Sequence, residues 1–331
     1  MDHPLLSVQD LKVYFRGQDH TARAVDGVDF DVKKGETVCL VGESGCGKTV
    51  SALAVMGLIS TPPGEIVSGK IVFREKNLLQ LEEAAMQKVR GNQIAMVFQE
   101  PLTALNPVFT IGDQIAEAVL VHERVKEDDL HKRCIRLLRD VGIPSPDARL
   151  KDYPHQLSGG QRQRVMIAMA LACSPDLIIA DEPTTALDVT VQAQILNLMQ
   201  SLQRRTHMSI LYITHDLGVV SNVADRVYVM YAGVIVEKGS RNQVFQDPKH
   251  PYTRGLLESL PTKSKRGKRL HSIPGAVPDP AFKPQGCPFH PRCSEIIGES
   301  CRARLPEATV LADGRMVRCH LYSEERRVSH A

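Results

Sequence analysis

Three short strings in a fixed order constrain this 331-residue chain more than anything else in it: GESGCGKT at Gly42–Thr49, LSGGQRQRV at Leu157–Val165, and LIIADEPTTALD at Leu177–Asp188. The first fits the phosphate-loop pattern G-x-x-x-x-G-K-[ST], with Gly42, Gly47, Lys48 and Thr49 at the fixed positions and Glu43, Ser44, Gly45 and Cys46 between them. Glycines let backbone N–H groups turn inward around phosphate oxygens, at a helix N-terminus whose dipole favours anions. Lys48 then carries an ammonium to the terminal phosphates, and Thr49 offers a hydroxyl to Mg²⁺. The third string is an apolar strand that ends in Asp181, a carboxylate suited to support that metal. Glu182 follows directly, so its side chain points elsewhere, where it can orient or deprotonate an attacking water.

Bulk properties narrow the setting. A net charge of +3 is too small to imply a nucleic-acid partner. The longest apolar run near the middle, Val165–Cys173, falls far short of the ~18 residues that cross a bilayer. The N-terminus lacks a basic region followed by an apolar one, so no signal peptide is expected. These features predict a cytoplasmic chain whose membrane association comes through partners.

Residues 5–41 alternate like antiparallel strands, and Glu36–Val41 reads as a buried strand feeding the glycine loop. A helix is expected at Lys48–Ile59, a strand pair over 64–80, a charged helix at 81–90, and a strand at Gln93–Gln99. From about 100 to 165 the spacing turns helical, which predicts a helical subdomain inserted into an α/β core. Beyond it, Asp176–Asp181, Ser209–Thr214 and Arg226–Gly233 read as strands alternating with helices, the doubly wound pattern of a mostly parallel sheet. Residues 261–291 hold seven prolines and the basic run Lys263–Arg269, read as a solvated linker to a small cysteine-bearing module. The expected division is a domain over 1–245 and an extension over 246–331.

The three strings together resemble the ATP-binding cassette family, over residues 5 to about 245. The resemblance implies a RecA-like parallel-sheet core, an antiparallel β subdomain and an inserted helical subdomain. It implies a dimeric machine in which Ser158, Gly159, Gly160 and Gln161 cover the ATP of the opposite subunit. Binding closes the pair, and hydrolysis lets it open. It further implies that Gln99 contacts metal and attacking water, and that His215 contacts the γ-phosphate. Mg²⁺ would be held through Thr49, Gln99 and Asp181, and the Ala186–Asp188 loop, with Asp188, would cross the dimer interface. The family stacks adenine on an aromatic of the first strands. Phe15 aligns best, and Tyr14 competes with it.

Three further segments, Phe98–Ile115, Tyr153–Arg164 and His250–Pro261, resemble the ATPases of bacterial dipeptide and oligopeptide importers, with the dipeptide subgroup most similar. Nickel and glutathione importers belong to the same group, and a phosphonate-degradation complex has related proteins. The resemblance implies a second, different ATPase subunit, two permease subunits, a periplasmic or extracellular peptide-binding protein, no nucleic acid, and a place on the cytoplasmic face of the inner membrane.

Eight cysteines fall into two groups. Cys39, Cys46, Cys134 and Cys173 sit in apolar or motif contexts and read as small buried side chains. Cys287, Cys293, Cys301 and Cys319 crowd the tail, and clustered cysteines in a cytosolic chain suggest metal before disulfides. Four thiolates could hold a [4Fe–4S] cluster or Zn²⁺, with His290 and His320 as spare zinc ligands. Similar tails in peptide-importer ATPases carry a [4Fe–4S] cluster, which the resemblance favours over zinc.

Overall fold

The computed structural model describes residues 3–185, 187–260 and 272–323. In chain order the first elements are β1 (Leu6–Arg16), β2 (Thr21–Val32), β3 (Thr37–Val41), α1 (Lys48–Val55), β4 (Gly64–Phe73), β5 (Lys76–Asn77), α2 (Glu83–Gln87) and β6 (Ile94–Val97). Helices α3 (Pro101–Ala104), α4 (Ile111–Leu120), α5 (Glu127–Asp140), α6 (Pro146–Arg149) and α7 (Gly159–Ala170) follow. Then come β7 (Leu177–Asp181), α8 (Val189–Thr206), β8 (Ser209–Thr214), α9 (Leu217–Val223), β9 (Arg226–Tyr231), β10 (Val234–Ser240), α10 (Arg241–Gln246) and α11 (Pro251–Glu258). The tail adds α12 (Gly298–Ala303), β11 (Thr309–Val310) and β12 (Met316–Val317). The basic run Lys263–Arg269 and Ala186 lie outside the described residues.

The chain forms two compact units: Met1–Val32, Thr37–Leu79 and Ile213–Ala331 make the first, and Lys33–Glu36 with Gln80–Tyr212 the second. In the first unit β1 pairs antiparallel with both β2 and β4. Strand β1 buries Leu6 and Val8, then Leu11 and Val13. That break in alternation coincides with a register shift between Val8 and Leu11 and with Asp10 at φ +42°. A bulge there returns the apolar residues to the inner face. Strand β3 (TVCLV) is buried at every position, as a strand covered on both faces must be, and runs parallel to β9. A tight turn at Ala232–Gly233, both with positive φ, reverses β9 into antiparallel β10. Asp31 of β2 accepts from Arg226 at 2.7 Å, from the Tyr228 hydroxyl at 2.8 Å and from Lys238 at 3.1 Å. Burial alone would raise its pKa, but these donors hold it well below the usual carboxylate range.

The tail belongs to this unit as well. Strand β12 pairs antiparallel with β10, Glu237 opposite Val317, and β11 pairs with β12. Contacts therefore group the described part of 246–331 with the phosphate-loop strands.

The second unit pairs β6 and β7 in parallel, Ile94 opposite Leu177. Helices α3, α4, α5 and α7 pack on one another, giving the inserted helical region its own small core. Capping boxes begin α4 (Thr110 with Asp113) and α7 (Ser158 with Gln161).

Several boundaries differ from the sequence reading. Helix α1 stops at Val55 because Gly57 takes a left-handed conformation just past its end. Strand β6 ends at Val97, so Gln99 lies beyond it, ahead of the Glu100–Pro101 pair that starts α3. The helix expected over 81–90 covers only Glu83–Gln87. No helix among the described residues is long and apolar enough to cross a membrane.

Candidate nucleotide site

The phosphate loop is already folded around its own lysine. Strand β3 delivers the chain to Gly42, and Gly47, at φ +105°, is the residue before α1. A Cβ at Gly42 would collide with the Met230 carbonyl, and one at Gly47 with the Ala24 carbonyl. Both positions therefore demand glycine for close backbone approach. Lys48 is 5% exposed, and its Nζ donates to the carbonyls of Gly42 (2.8 Å) and Glu43 (3.0 Å). An ammonium held inside the loop is in place before any anion arrives. Ser44, Gly45 and Thr49 are exposed along the rim. Cys46 is buried, and burial pushes its thiol up although Lys48 opposes this, so it packs as a small apolar residue.

Glu43 is fixed twice from the C-terminal side. Its N–H donates to the Tyr252 hydroxyl at 2.9 Å, and Tyr252, on α11, is fully buried. Its carboxylate accepts two hydrogen bonds from Arg292, at 2.7 and 3.0 Å. The string His250–Pro261 pointed to this region without assigning it a role, and nothing local in the sequence marked Arg292. Their connection to the loop depends on contacts between residues more than two hundred positions apart.

The candidate adenine aromatics separate. The Tyr14 hydroxyl donates to Asp26 at 2.7 Å, and the Arg23 guanidinium lies 5.9 Å from its ring. Burial, with Asp26, pushes the Tyr14 pKa up to about 12. Phe15 is half-buried near Gly64 and has no such polar commitment. His215, in the same unit, is exposed at the end of β8, and Asp216 after it caps α9 by accepting from Gly218 and Val219.

The second unit gathers the water-directing candidates. Asp181 ends β7 at 4% exposure. Glu182 follows at φ +45°, a strained left-handed backbone for a non-glycine residue. Its Oε2 accepts from Gln99 Nε2 at 3.2 Å and from the Thr185 hydroxyl at 2.9 Å. Gln99 and Glu182 thus meet across 83 positions, and Thr185 is a partner the sequence did not single out.

Ser158 and Gly159 are exposed, and Gly160 and Gln161 half-buried. Ser158 accepts from the Gln161 N–H while the Gln161 side chain accepts from the Ser158 N–H, fixing the loop as the N-terminus of α7. A Cβ at Gly160 would meet Val191 at 2.7 Å, so this glycine lets α7 approach α8 closely. Asp188 caps α8 by accepting from Thr190 and Val191.

The four tail cysteines form one neighbourhood. Cys287, Cys301 and Cys319 are buried and Cys293 is half-buried. Burial pushes Cys287 up to about 11 and Cys319 up to about 12, with the neighbouring thiols adding to the rise. The N–H groups of Glu295 and Ile297 donate to the sulfurs of Cys293 and Cys301, each at 3.4 Å. Yet among the described residues no three His, Cys, Asp or Glu side chains are placed to hold a metal ion. Of the two histidines in the tail, His290 Nδ1 lies 2.9 Å from the Cys287 carbonyl, and His320 Nε2 lies 2.9 Å from that of Arg304.

The ABC transporter family model matches residues 25–185, and the model of the oligopeptide/dipeptide transporter C-terminal region matches 236–301. The chain is 50% identical to an oligopeptide transport ATP-binding protein, AppD, of Bacillus subtilis (strain 168), over 97% of this chain and 98% of that protein. It is 49% identical to the dipeptide transport ATP-binding protein DppD of Escherichia coli (strain K12), over 96% of each. Among solved structures it resembles the dimeric ATP-binding cassette MJ0796 bound to ADP and Pi, with TM-score 0.64 and 25% identity, over 71% of this chain and 98% of that one. It also resembles cbiO1 of Clostridium perfringens, with TM-score 0.64 and 28% identity, over 74% of this chain and 91% of that one. The chain belongs to the ATP-binding subunits of ABC transporters, in the branch that carries the oligopeptide/dipeptide transporter C-terminal region.

Proposed function

We propose that this chain is the ATP-hydrolysing subunit of an importer for dipeptides or short oligopeptides. The observation that carries this reading is the co-occurrence of a complete phosphate loop, built around buried Lys48, with the peptide-transporter C-terminal region on the same chain. In this reading Gly42–Thr49 hold the ATP phosphates and Phe15 stacks on adenine. Thr49, Gln99 and Asp181 would be the residues to hold Mg²⁺, which would supply neutralisation of the phosphate charge. Glu182, steadied by Gln99 and Thr185, takes the proton of the attacking water, and His215 contacts the γ-phosphate. Ser158–Gln161 and the Asp188 loop belong to the ATP of a second ATPase subunit. Permease subunits receive the closing motion, and a binding protein outside the membrane delivers the peptide, which places this chain on the cytoplasmic face.

For the tail, the proposal is a structural [4Fe–4S] cluster on Cys287, Cys293, Cys301 and Cys319. Its support is the shared neighbourhood of four thiols and the amide donors on two of the sulfurs. A cubane is wider than a single ion, so its ligands need not approach one another as zinc ligands do. Iron and zinc analysis of anaerobically purified protein tests this: about four irons per chain are expected, and protein with neither metal refutes it. The function itself is tested by uptake of labelled dipeptide in cells lacking this chain. Wild type should restore uptake and Glu182→Gln should not. Restoration by Glu182→Gln would remove that residue from catalysis, and unchanged uptake without the chain would refute the cargo.

A further inference from the structure

The phosphate loop of this chain is held from outside the nucleotide-binding motifs. Arg292 lies two positions after His290 and directly before Cys293, in the C-terminal module. Its side chain is 4% exposed, while that of Glu43 is 31% exposed. The guanidinium is fully committed: two bonds to the Glu43 carboxylate, one from Nε to the Pro274 carbonyl at 2.8 Å, and longer ones to the Ile273 carbonyl and the Tyr231 hydroxyl, both at 3.4 Å. It also lies 5.8 Å from the Tyr231 ring centre. Such a planar, multiply bonded fork fixes position as well as charge.

Glu43 poses an electrostatic problem that Arg292 answers. It is the second residue of a loop whose work is to receive a polyanion, and its carboxylate opposes that. A buried, bidentate arginine offsets the charge and fixes the position of the carboxylate. Tyr252 holds the same residue by its backbone.

We propose that Arg292 is a positioning residue for the phosphate loop: by neutralising and orienting Glu43 it makes nucleotide affinity depend on the C-terminal module. This inference rests on the reading of Gly42–Thr49 as the ATP site. The ordering of residues around Cys287 and Cys293 thereby reaches the nucleotide through one side chain, without any contact between the cysteines and ATP.

The test is binding of a fluorescent ATP analogue to the purified full-length chain. Arg292→Gln should weaken binding about tenfold, the order expected for one uncompensated charge near the phosphates in a partly desolvated site. Adding Glu43→Gln to that variant should recover most of the loss, because the repelling charge is gone. A purely structural role for Arg292 in the tail predicts no such recovery. Should Arg292→Gln fold poorly, Arg292→Lys, which keeps the charge but loses the fork, should show a smaller loss with the same recovery. Wild-type affinity in Arg292→Gln, or no recovery in the double variant, overturns the proposal. Lys48→Ala separates the two levels. If it binds like wild type, the ATP site itself is misread and the inference falls with it. If only Lys48→Ala loses affinity, the site stands and Arg292 has no part in it.

Discussion

The phosphate loop and the signature loop are both glycine-rich helix starts, yet they are built in opposite ways. At Gly42–Thr49 the lysine is buried, two glycines are locked against backbone carbonyls, and Glu43 is tied at its amide and at its carboxylate. At Ser158–Gln161 the loop is closed by its own capping box and packs through Gly160 against α8, and Ser158 and Gly159 are exposed. The first is organised to receive a ligand within its own chain. The second is rigid enough to present backbone amides but has its surface open, as suits a loop whose ligand arrives on another molecule. Glu182 is intermediate: its carboxylate is steadied by Gln99 and Thr185, yet Gln99 is exposed. The phosphate loop is thus tied down within its own unit, while Gln99, Ser158 and Gly159 are exposed.

The largest effect expected from this contrast is in Glu182→Gln. Hydrolysis should fall by ~10²-fold or more, the scale of a lost general base, while ATP binding persists. Parallel loss of binding and turnover would erase the division between a prebuilt binding half and a separate hydrolytic group. A smaller effect should follow from the adenine contact. Phe15→Ala should weaken ATP binding by about tenfold, as loss of one base–aromatic stack does. Tyr14→Phe should leave affinity close to wild type, because the Tyr14 hydroxyl serves Asp26. Calorimetry on both variants decides between them, and the reverse ranking would move adenine to Tyr14.

The last effect is on stability, and it probes the tethers behind the phosphate loop. His250 is 1% exposed, accepts the Tyr252 N–H at 3.0 Å and so begins α11. Burial, with Arg254 nearby, lowers its pKa to about 3. Its unfolded value is near 6.5, so between about pH 6.5 and 3 the unfolded chain binds the extra proton and stability falls as pH falls. The slope from this group is at most ~1.4 kcal/mol per pH unit. Denaturant titrations at pH 7.5, 6 and 5 should show it, and His250→Asn, which keeps a capping acceptor without titrating, should flatten it. An unchanged slope in His250→Asn would assign the pH response elsewhere.

Much of this was legible before any coordinates. The three strings located the phosphate loop and Glu182, and the period of the apolar residues separated the helical insertion from the strands. Exact ends were not legible: α1 stops at Gly57 and β6 at Val97, where a left-handed glycine and an approaching proline outweigh apolar pattern. Nor was the register break in β1 at Asp10, which sequence alternation alone blurs. Arg292 was invisible for a different reason. Its meaning lies in a pairing with Glu43 across 249 positions, and no local spacing encodes it. The cysteines were visible as a cluster, but their spacing left the ligand geometry open.

We propose that this chain binds ATP through its own loop and completes hydrolysis only under the signature loop of another subunit. Ser158→Arg tests it most directly, with ATP binding and ATP-driven dimer closure measured on the same preparation, closure by a crosslink across the interface. Wild-type ATP affinity in this chain is expected, together with loss of closure over the partner's nucleotide. Normal closure in Ser158→Arg would contradict it.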